Sequence, residues 1–276
     1  MSSSRKIIDG LFDGYDVVYI NPPYRKESAI FQEEDTMKKI RYSGIRPSLL
    51  DIWWNAFMVK DCEQWDEHNI PFCRTLHEEV PDDLITWKQA KEVFRKRIRK
   101  NKNFKCNAYI CFYLDDILFD GKNGIWFDYN KAYEIIKHFG GIITPDFSTY
   151  GDFPLPLKWW NTYRMRAFGF WCSTMGINVI NNVRWSKDTL DICFRGIPKN
   201  SIVAIGAVAS RLKYLKNRAD FEEYLIKMIE VLQPHTILVY GSTNYACFKS
   251  LWTSGIKIVT YPSRRNIKKD YSGDAR

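Results

Sequence analysis

The feature that most constrains the fold is a regular alternation of two kinds of segment after about residue 105. Short runs of apolar, often β-branched residues alternate with longer segments in which apolar residues recur at helical spacing. Strands that each lead into an amphipathic helix are joined by right-handed crossovers and form a parallel sheet. The sequence therefore predicts an α/β fold with a mostly parallel sheet, which is either barrel-like or open.

This pattern also predicts the individual elements and the domain organisation. The strands are residues 108–113, 141–144, 178–180, 202–206, 236–240 and 256–260, and the helices are 129–139, 157–175, 219–232 and 245–254. Turn-rich segments before residue 105 indicate an irregular region that contains one basic amphipathic helix, with Thr86 as its N-cap. The predicted domains are an irregular N-terminal region packed onto the sheet, the α/β core and a basic tail, at residues 1–104, 105–262 and 263–276.

The composition limits the cellular compartments and the binding partners that the chain is expected to have. The chain has 276 residues, of which 45% are hydrophobic, so it can bury a full core. It has no stretch near the ~20 apolar residues that a membrane span needs, and its seven cysteines are scattered through apolar segments rather than arranged as a disulfide framework. These features predict a cytoplasmic protein without a membrane partner. The formal net charge of +9 favours polyanionic partners.

Polar residues are concentrated where the predicted strands end. Because ligands of parallel α/β sheets gather at the carboxyl ends of the strands, these residues are expected to share one edge. Carboxylates that face arginines suit a metal-assisted hydrolytic site or a phosphate or sugar pocket, and the alternative is a set of buried salt bridges and caps. The residues are Asp115, Asp116, Asp146, Ser148, Asn182, Arg184, Trp185, Ser210 and the segment 240–242.

The helix predicted at residues 157–175 adds polar groups to this edge. Asn161 and Arg164 are three residues apart and share a helical face, whereas Arg166 points elsewhere. Arg164 is therefore expected to enter the site, and Arg166 to be a surface or ion-pair residue. The candidate catalytic residues are Asp115, Asp146 and Arg164, and the candidate ligand-binding residues are Asn161, Asn182, Arg184, Trp185 and Ser148. The sequence does not indicate a metal or a cofactor.

The clearest electrostatic feature is the segment 95–105, which contains seven basic residues and no acidic one. Such a segment can neutralise several phosphates and so bind nucleic acid without reading its sequence, or it can be a solvated helix end. The predicted nucleic-acid-binding residues are Arg95, Lys96, Arg97, Arg99, Lys100 and Lys102. The basic tail, with Arg264, Arg265, Lys268 and Lys269, adds to the positive charge.

Two further patterns are weaker signals. The segment Asn21-Pro-Pro-Tyr24 is similar to the catalytic loop of adenine-N6 methyltransferases, but no glycine-rich loop for the methyl donor accompanies it. The set Cys62, His68, Cys73 and His77 has zinc-ligand residue types at spacings that match no standard zinc finger.

The core also carries a family resemblance. The segments 112–116, 141–148, 161–166, 179–185, 193–198, 203–206 and 239–242 together resemble the domain-of-unknown-function family 4417, over roughly residues 105–262. This resemblance implies a protein of phages and mobile elements, largely from bacteria of the Firmicutes type, and it assigns no reaction.

Three functions are compatible with these observations. The leading hypothesis is a phage or mobile-element protein whose basic α/β domain engages nucleic acid or a nucleotide. The alternative is an α/β enzyme whose carboxylate and arginine pocket acts on a phosphate- or sugar-containing small molecule, with adenine-N6 methylation through Asn21-Pro-Pro-Tyr24 as a minor alternative. A third hypothesis is an interaction protein that binds a host protein.

Overall fold

The computed structural model describes residues 53–75, 79–186, 188–208, 210, 212, 214–253 and 255–263. The chain forms two compact units, Met1–Asp61 and Cys62–Arg276. In the first unit, the described residues include a 3-10 helix, Ala56–Val59, in which Ala56, Met58 and Val59 are buried. The second unit contains the sheet and the helices described below.

The sheet of the second unit has seven strands that lie side by side in chain order. Every neighbouring pair is parallel. The strands are β1 (Leu84–Thr86), β2 (Cys106–Cys111), β3 (Phe139–Ile143), β4 (Val179–Asn182), β5 (Ile202–Gly206), β6 (Thr236–Tyr240) and β7 (Lys257–Tyr261). The prediction of an α/β fold with a parallel sheet is confirmed. The sheet begins earlier than expected, because β1 lies before residue 105.

Four α-helices connect the strands and cover the sheet. They are α1 (Trp87–Val93), α2 (Tyr129–Ile136), α3 (Leu155–Thr174) and α4 (Leu215–Leu232). A π-helical turn, Phe94–Ile98, continues α1, and a 3-10 helix, Ala246–Thr253, replaces the last predicted α-helix. The strands of a parallel sheet are buried on both faces, which agrees with the fully buried pattern of β6.

The start of α1 shows how local sequence sets a boundary. The Thr86 hydroxyl accepts a hydrogen bond from the backbone N–H of Gln89, and the side chain of Gln89 accepts one from the backbone N–H of Thr86. This reciprocal capping box satisfies two donors that the first helical turn leaves open. The predicted N-cap at Thr86 is confirmed.

The sheet is curled, so that its inner face encloses a core. One apolar cluster takes residues from all seven strands, including Leu84 of β1 and Tyr261 of β7. The Tyr261 hydroxyl donates a hydrogen bond to the carbonyl of Pro81, just before β1, which ties the two outer strands together. The sheet is therefore a curled half-barrel rather than a flat layer.

The strand order separates the two edges of the sheet. The loops that follow the strands lie at the carboxyl edge, whereas the segment 99–105 follows the π-helical turn and leads into β2 at the opposite, amino edge. The carboxylates and the basic segment of the sequence analysis thus belong to opposite edges. Among the described residues, no helix is long and apolar enough to cross a membrane.

Candidate functional site

A hydrogen-bonded network joins the ends of β2, β3 and β4 at the carboxyl edge. The Tyr113 hydroxyl donates to Oδ1 of Asn182 at 3.1 Å, and Nδ2 of Asn182 donates to Oδ1 of Asp146 at 2.7 Å. The other carboxylate oxygen of Asp146 accepts a hydrogen bond from an NH group of Arg184 at 3.0 Å. We call Tyr113, Asp146, Asn182 and Arg184 the rim network.

The pairing of β3 and β4 sets the positions of these side chains. Ile143 of β3 lies opposite Ile180 of β4, and the Thr144 backbone N–H donates to the Ile180 carbonyl at 2.9 Å. The backbone N–H of Asn182 donates in turn to the Thr144 hydroxyl at 2.8 Å. Asn182 and Asp146 therefore leave neighbouring strands at nearly the same height, where a short amide can reach the carboxylate.

Two tyrosines form the wall of the rim network. The rings of Tyr113 and Tyr240 stack with centroids 5.2 Å apart and planes 19° apart. A Cβ at Gly206 would lie 2.7 Å from the Tyr113 ring, so a glycine at the end of β5 leaves the space for this stack. Burial, and then the charge of Asp146, raise the pKa of Tyr113 well above its usual value. Tyr113 is therefore a neutral donor at physiological pH.

Arg184 is the member of the rim network with an unused donor. Its guanidinium carbon lies 5.7 Å from the ring centre of Tyr150, and one NH group binds Asp146. Its Nε is buried and has no hydrogen-bond partner within the described part of the chain. Leaving a buried guanidinium N–H unpaired costs free energy, which an acceptor atom at this point would recover.

A second cluster lies beside the rim network and involves α3. Asp116 accepts hydrogen bonds from the hydroxyl of Ser148 at 2.8 Å and from its backbone N–H at 3.2 Å. The amide of Asn161 donates to the Ser148 carbonyl, and its Oδ1 accepts from Nε and the second NH group of Arg164 at 3.2 and 2.6 Å. Burial raises the pKa of Asp116, although its bonds to Ser148 oppose the shift.

Arg164 is held by other protein groups on every side. One NH group contacts both carboxylate oxygens of Asp120, at 2.8 and 2.9 Å, and the guanidinium carbon lies 3.9 Å from the ring centre of Phe147. With its remaining nitrogens on Asn161, Arg164 anchors the turn after β2 to α3. Asn161 and Arg164 share a helical face, as predicted. Their side chains bind each other and Asp120 rather than pointing into an open site.

Arg166 was predicted to be a surface or ion-pair residue, and the structure shows that it is neither. It is completely buried, and its guanidinium donates to the carbonyls of Asn182, Cys193 and Arg195 at 3.1, 3.0 and 2.7 Å. Burial lowers the pKa of Arg166 to about 10, so the side chain stays charged at neutral pH. The prediction was wrong because α3 is buried on almost all sides, and backbone carbonyls, which sequence patterns do not reveal, are the partners.

Several other predicted residues lie outside both clusters. Asp115 is exposed before a 3-10 turn, and Trp185 packs on Phe221 and Tyr224 with ring centres 5.0 and 6.1 Å away. The Ser210 hydroxyl donates to the carbonyl of Gly206 at 3.2 Å. Of the predicted site residues, Asp146, Asn182 and Arg184 share the rim network, whereas Ser148, Asn161 and Arg164 belong to the cluster around α3.

Tyr113 and Asp120 were missed by sequence reasoning. Tyr113 follows the buried strand β2 by two residues, so its position was a usable signal. Asp120 lies in a loop beyond a 3-10 turn, and only the fold brings it to Arg164.

The basic segment lies on the surface at the amino edge of the sheet. The side chains of Arg95, Lys96, Arg97, Arg99, Lys100, Lys102 and Lys105 are all exposed. Several contacts tie it to its surroundings: Nζ of Lys96 lies 2.5 Å from Glu92, Nε of Arg95 donates to the Lys91 carbonyl at 3.4 Å, and Nζ of Lys105 donates to the Lys137 carbonyl at 2.8 Å. Most of its charge therefore faces solvent.

Among the described residues, Cys62, His68 and Cys73 do not gather as a group of metal ligands. Cys62 and Cys73 are buried, and burial raises the pKa of the Cys73 thiol to about 12, which disfavours a thiolate ligand. His68 stacks on Trp159 with ring centres 4.8 Å apart. His77, Asn21-Pro-Pro-Tyr24 and the basic tail lie outside the described residues.

One described group of acidic and histidine residues has ligand atoms within 4.8 Å of one another, namely Asp66, Glu67 and His68. Oδ1 of Asp66 already accepts the backbone N–H groups of His68 and Ile70, and Arg195 pairs with both Glu67 and Asp66. Arg195 and two backbone N–H groups therefore compensate part of this negative charge.

The Arg164 anchor makes a testable prediction about stability. Arg164→Met leaves Asp120 and Asn161 without their partner, so we expect the free energy of unfolding to fall by about 3 kcal/mol. Asp120→Asn alone should also destabilise, and the double variant should lose less than the sum, with a coupling of about 1–3 kcal/mol. Urea denaturation of the four proteins measures this coupling, and additive losses would contradict the anchor.

Comparisons with known proteins identify a family and two relatives. The family described as "Domain of unknown function (DUF4417)" matches residues 62–262. The "Gene 1 protein" of Mycobacterium phage L5 is 34% identical over 167 residues, which are 60% of this chain and 68% of the phage protein. The "Gene 1 protein" of Mycobacterium phage D29 is 33% identical over 135 residues, which are 49% of this chain and 48% of that protein.

No solved structure matches the chain significantly. Both relatives are phage proteins, as the resemblance in the sequence implied. The family match covers the whole curled sheet and both polar clusters at its carboxyl edge. The chain therefore belongs to the DUF4417 family of unknown function.

Proposed function

We propose that this protein of a phage-associated family binds nucleic acid through the basic segment 95–105. The observation that carries the proposal is that all seven basic side chains of the segment are exposed on one continuous stretch of chain. Lysines and arginines that neutralise phosphates release condensed counterions, which makes binding favourable at low salt and independent of base sequence.

The surroundings of the segment support this proposal. Lys137 lies next to the segment, because its carbonyl accepts the hydrogen bond from Lys105. Phe94 adds a partly exposed ring, with the Arg99 guanidinium 5.8 Å from its centre. In proteins that bind single strands, cationic side chains contact the backbone and aromatic rings stack on the bases. The names of the relatives state no activity, so the proposal depends on the charge and exposure of this surface.

Reversing charges within the segment tests the proposal. Lys100→Glu with Lys102→Glu should weaken binding of labelled DNA by about tenfold or more. The slope of the logarithm of the affinity against the logarithm of the salt concentration should fall by the equivalent of about two phosphate contacts. The matched control is Lys227→Glu with Lys249→Glu, which changes the net charge equally at two exposed lysines elsewhere. Fluorescence anisotropy over a series of salt concentrations measures both quantities.

The control distinguishes a local contact from general attraction. If both double variants weaken binding equally, only the net charge matters and the segment is not a contact surface. If the wild-type chain does not bind DNA or RNA at low salt, the proposal is wrong.

A second candidate function concerns the rim network. The buried, unpaired Nε of Arg184 beside the Asp146 carboxylate favours a small molecule that carries both an acceptor for the guanidinium and hydroxyl donors for the carboxylate. Sugar phosphates have both kinds of group. In this proposal Arg184 and Asn182 orient the ligand, Asp146 is the candidate base, and Arg164 holds the neighbouring turn in place.

Binding of ribose 5-phosphate tests this second candidate. We expect saturable binding by calorimetry, and Arg184→Gln should weaken it by about tenfold or more because a charge-assisted hydrogen bond is lost. Arg195→Gln, at a partly exposed arginine that pairs with Glu67, is the control and should leave the affinity unchanged. Absence of binding, or equal affinity of the Arg184→Gln variant and the wild-type chain, would refute the rim network as a sugar-phosphate site.

A further inference from the structure

A groove with a volume of about 430 Å³ lies between α1, α2 and the loop that joins β2 to α2. It is separate from the rim network, because none of the four network residues lines it. Its volume falls within the range of about 300–1,000 Å³ that is typical of small-molecule sites. We call it the α1–α2 groove.

Three lysines line the α1–α2 groove: Lys91 of α1, Lys122 of the loop and Lys131 of α2. Nζ of Lys91 donates to the Leu118 carbonyl at 3.2 Å and lies 5.8 Å from the ring centre of Trp87, which fixes the ammonium at the wall. Burial, and then the nearby charges of Arg95, Lys131 and Lys88, lower the pKa of Lys91. Of these charges, only that of Lys131 also belongs to the groove, so Lys91 and Lys131 lie close enough for their like charges to oppose each other.

Protein carboxylates compensate only part of this charge. Asp128 pairs with Lys131 at 3.3 Å. Asp120 also lines the groove, but both of its carboxylate oxygens contact Arg164, so its charge is already balanced by the anchor of α3. A surplus of positive charge remains for an anion in the groove, and lysine is a common ligand of phosphate.

The floor of the groove is apolar. Phe119, Ile125, Ala132 and Ile135 line it, and all four are buried. The loop wall is tightly folded, because a Cβ at Gly124 would lie 2.6 Å from backbone atoms of Asp120. An apolar floor below a cationic mouth fits a ligand that has a flat or apolar body and one anionic end.

We propose that the α1–α2 groove binds a phosphomonoester of mononucleotide size, with its phosphate at Lys91, Lys122 and Lys131 and its body on the apolar floor. This chemistry occurs in free nucleoside monophosphates and at the 5′-phosphorylated end of a nucleic-acid strand. The proposal does not depend on the basic segment, because the segment 95–105 does not line the groove.

Calorimetric titration with adenosine 5′-monophosphate tests the proposal. We expect saturable binding, with adenosine and inorganic phosphate each at least about tenfold weaker, because each supplies only one half of the complementary groups. Lys122→Gln and Lys131→Gln should each weaken binding by about tenfold. Both lysines are exposed, and the melting temperature of each variant will show that it is folded.

Control variants separate this site from the others. Lys249→Gln, at an exposed lysine outside the groove, and Lys100→Glu with Lys102→Glu should leave the affinity for adenosine 5′-monophosphate unchanged, so this result stands whether or not the basic segment binds DNA. Comparison of a 5′-phosphorylated dinucleotide with adenosine 5′-monophosphate identifies the source, and the 5′-hydroxyl dinucleotide is the control. Tighter binding of the phosphorylated dinucleotide indicates a strand end, and tighter binding of adenosine 5′-monophosphate indicates a free nucleotide.

Three results would overturn the proposal. One is the absence of saturable binding of adenosine 5′-monophosphate at millimolar concentration. Another is equal affinity for inorganic phosphate, which would show that the apolar floor takes no part in binding. The third is unchanged affinity of the Lys122→Gln and Lys131→Gln variants, which would show that the ligand does not bind in the groove.

Discussion

The parallel pairing of seven strands in chain order is the constraint on which the rest of the structure depends. Each connection must cross from the carboxyl edge of one strand to the amino edge of the next. Loops that follow strands therefore lie at one edge of the sheet, and loops that precede strands lie at the other. Tyr113, Asp146 and Asn182 follow different strands and still meet. The basic segment, which precedes β2, is placed at the other edge by the same rule.

Buried arginines link the helix α3 to this arrangement. Arg166 binds the carbonyls of Asn182, Cys193 and Arg195, which joins α3 to the end of β4 and to the segment that follows it. Arg164 binds the turn after β2 through Asp120. Burying a charged side chain costs free energy unless its donors are satisfied, and these two arginines meet that condition with different partners.

The sequence predicted the fold class and most of the elements. Six of the seven strands overlap predicted ones, because their β-branched runs are long enough to recognise. β1, Leu84–Thr86, was missed because it has only three residues and its last residue read as a helix cap, which it also is. The strand ends predicted that Asn182 and Asp146 share one edge, but not that they pair, and the partners of Arg166 are backbone carbonyls from distant segments. Side-chain spacing carries no information about such partners.

We propose nucleic-acid contact at the amino edge and small-molecule binding at the carboxyl edge and in the α1–α2 groove. Lysine acylation with and without DNA, read by mass spectrometry, tests this separation most directly. Lys100, Lys102 and Lys105 should lose reactivity when DNA binds, while Lys227 and Lys249 keep theirs, since all five are exposed in the free chain. Unchanged reactivity of the three lysines in the basic segment, together with protection of Lys227 and Lys249, would contradict the account.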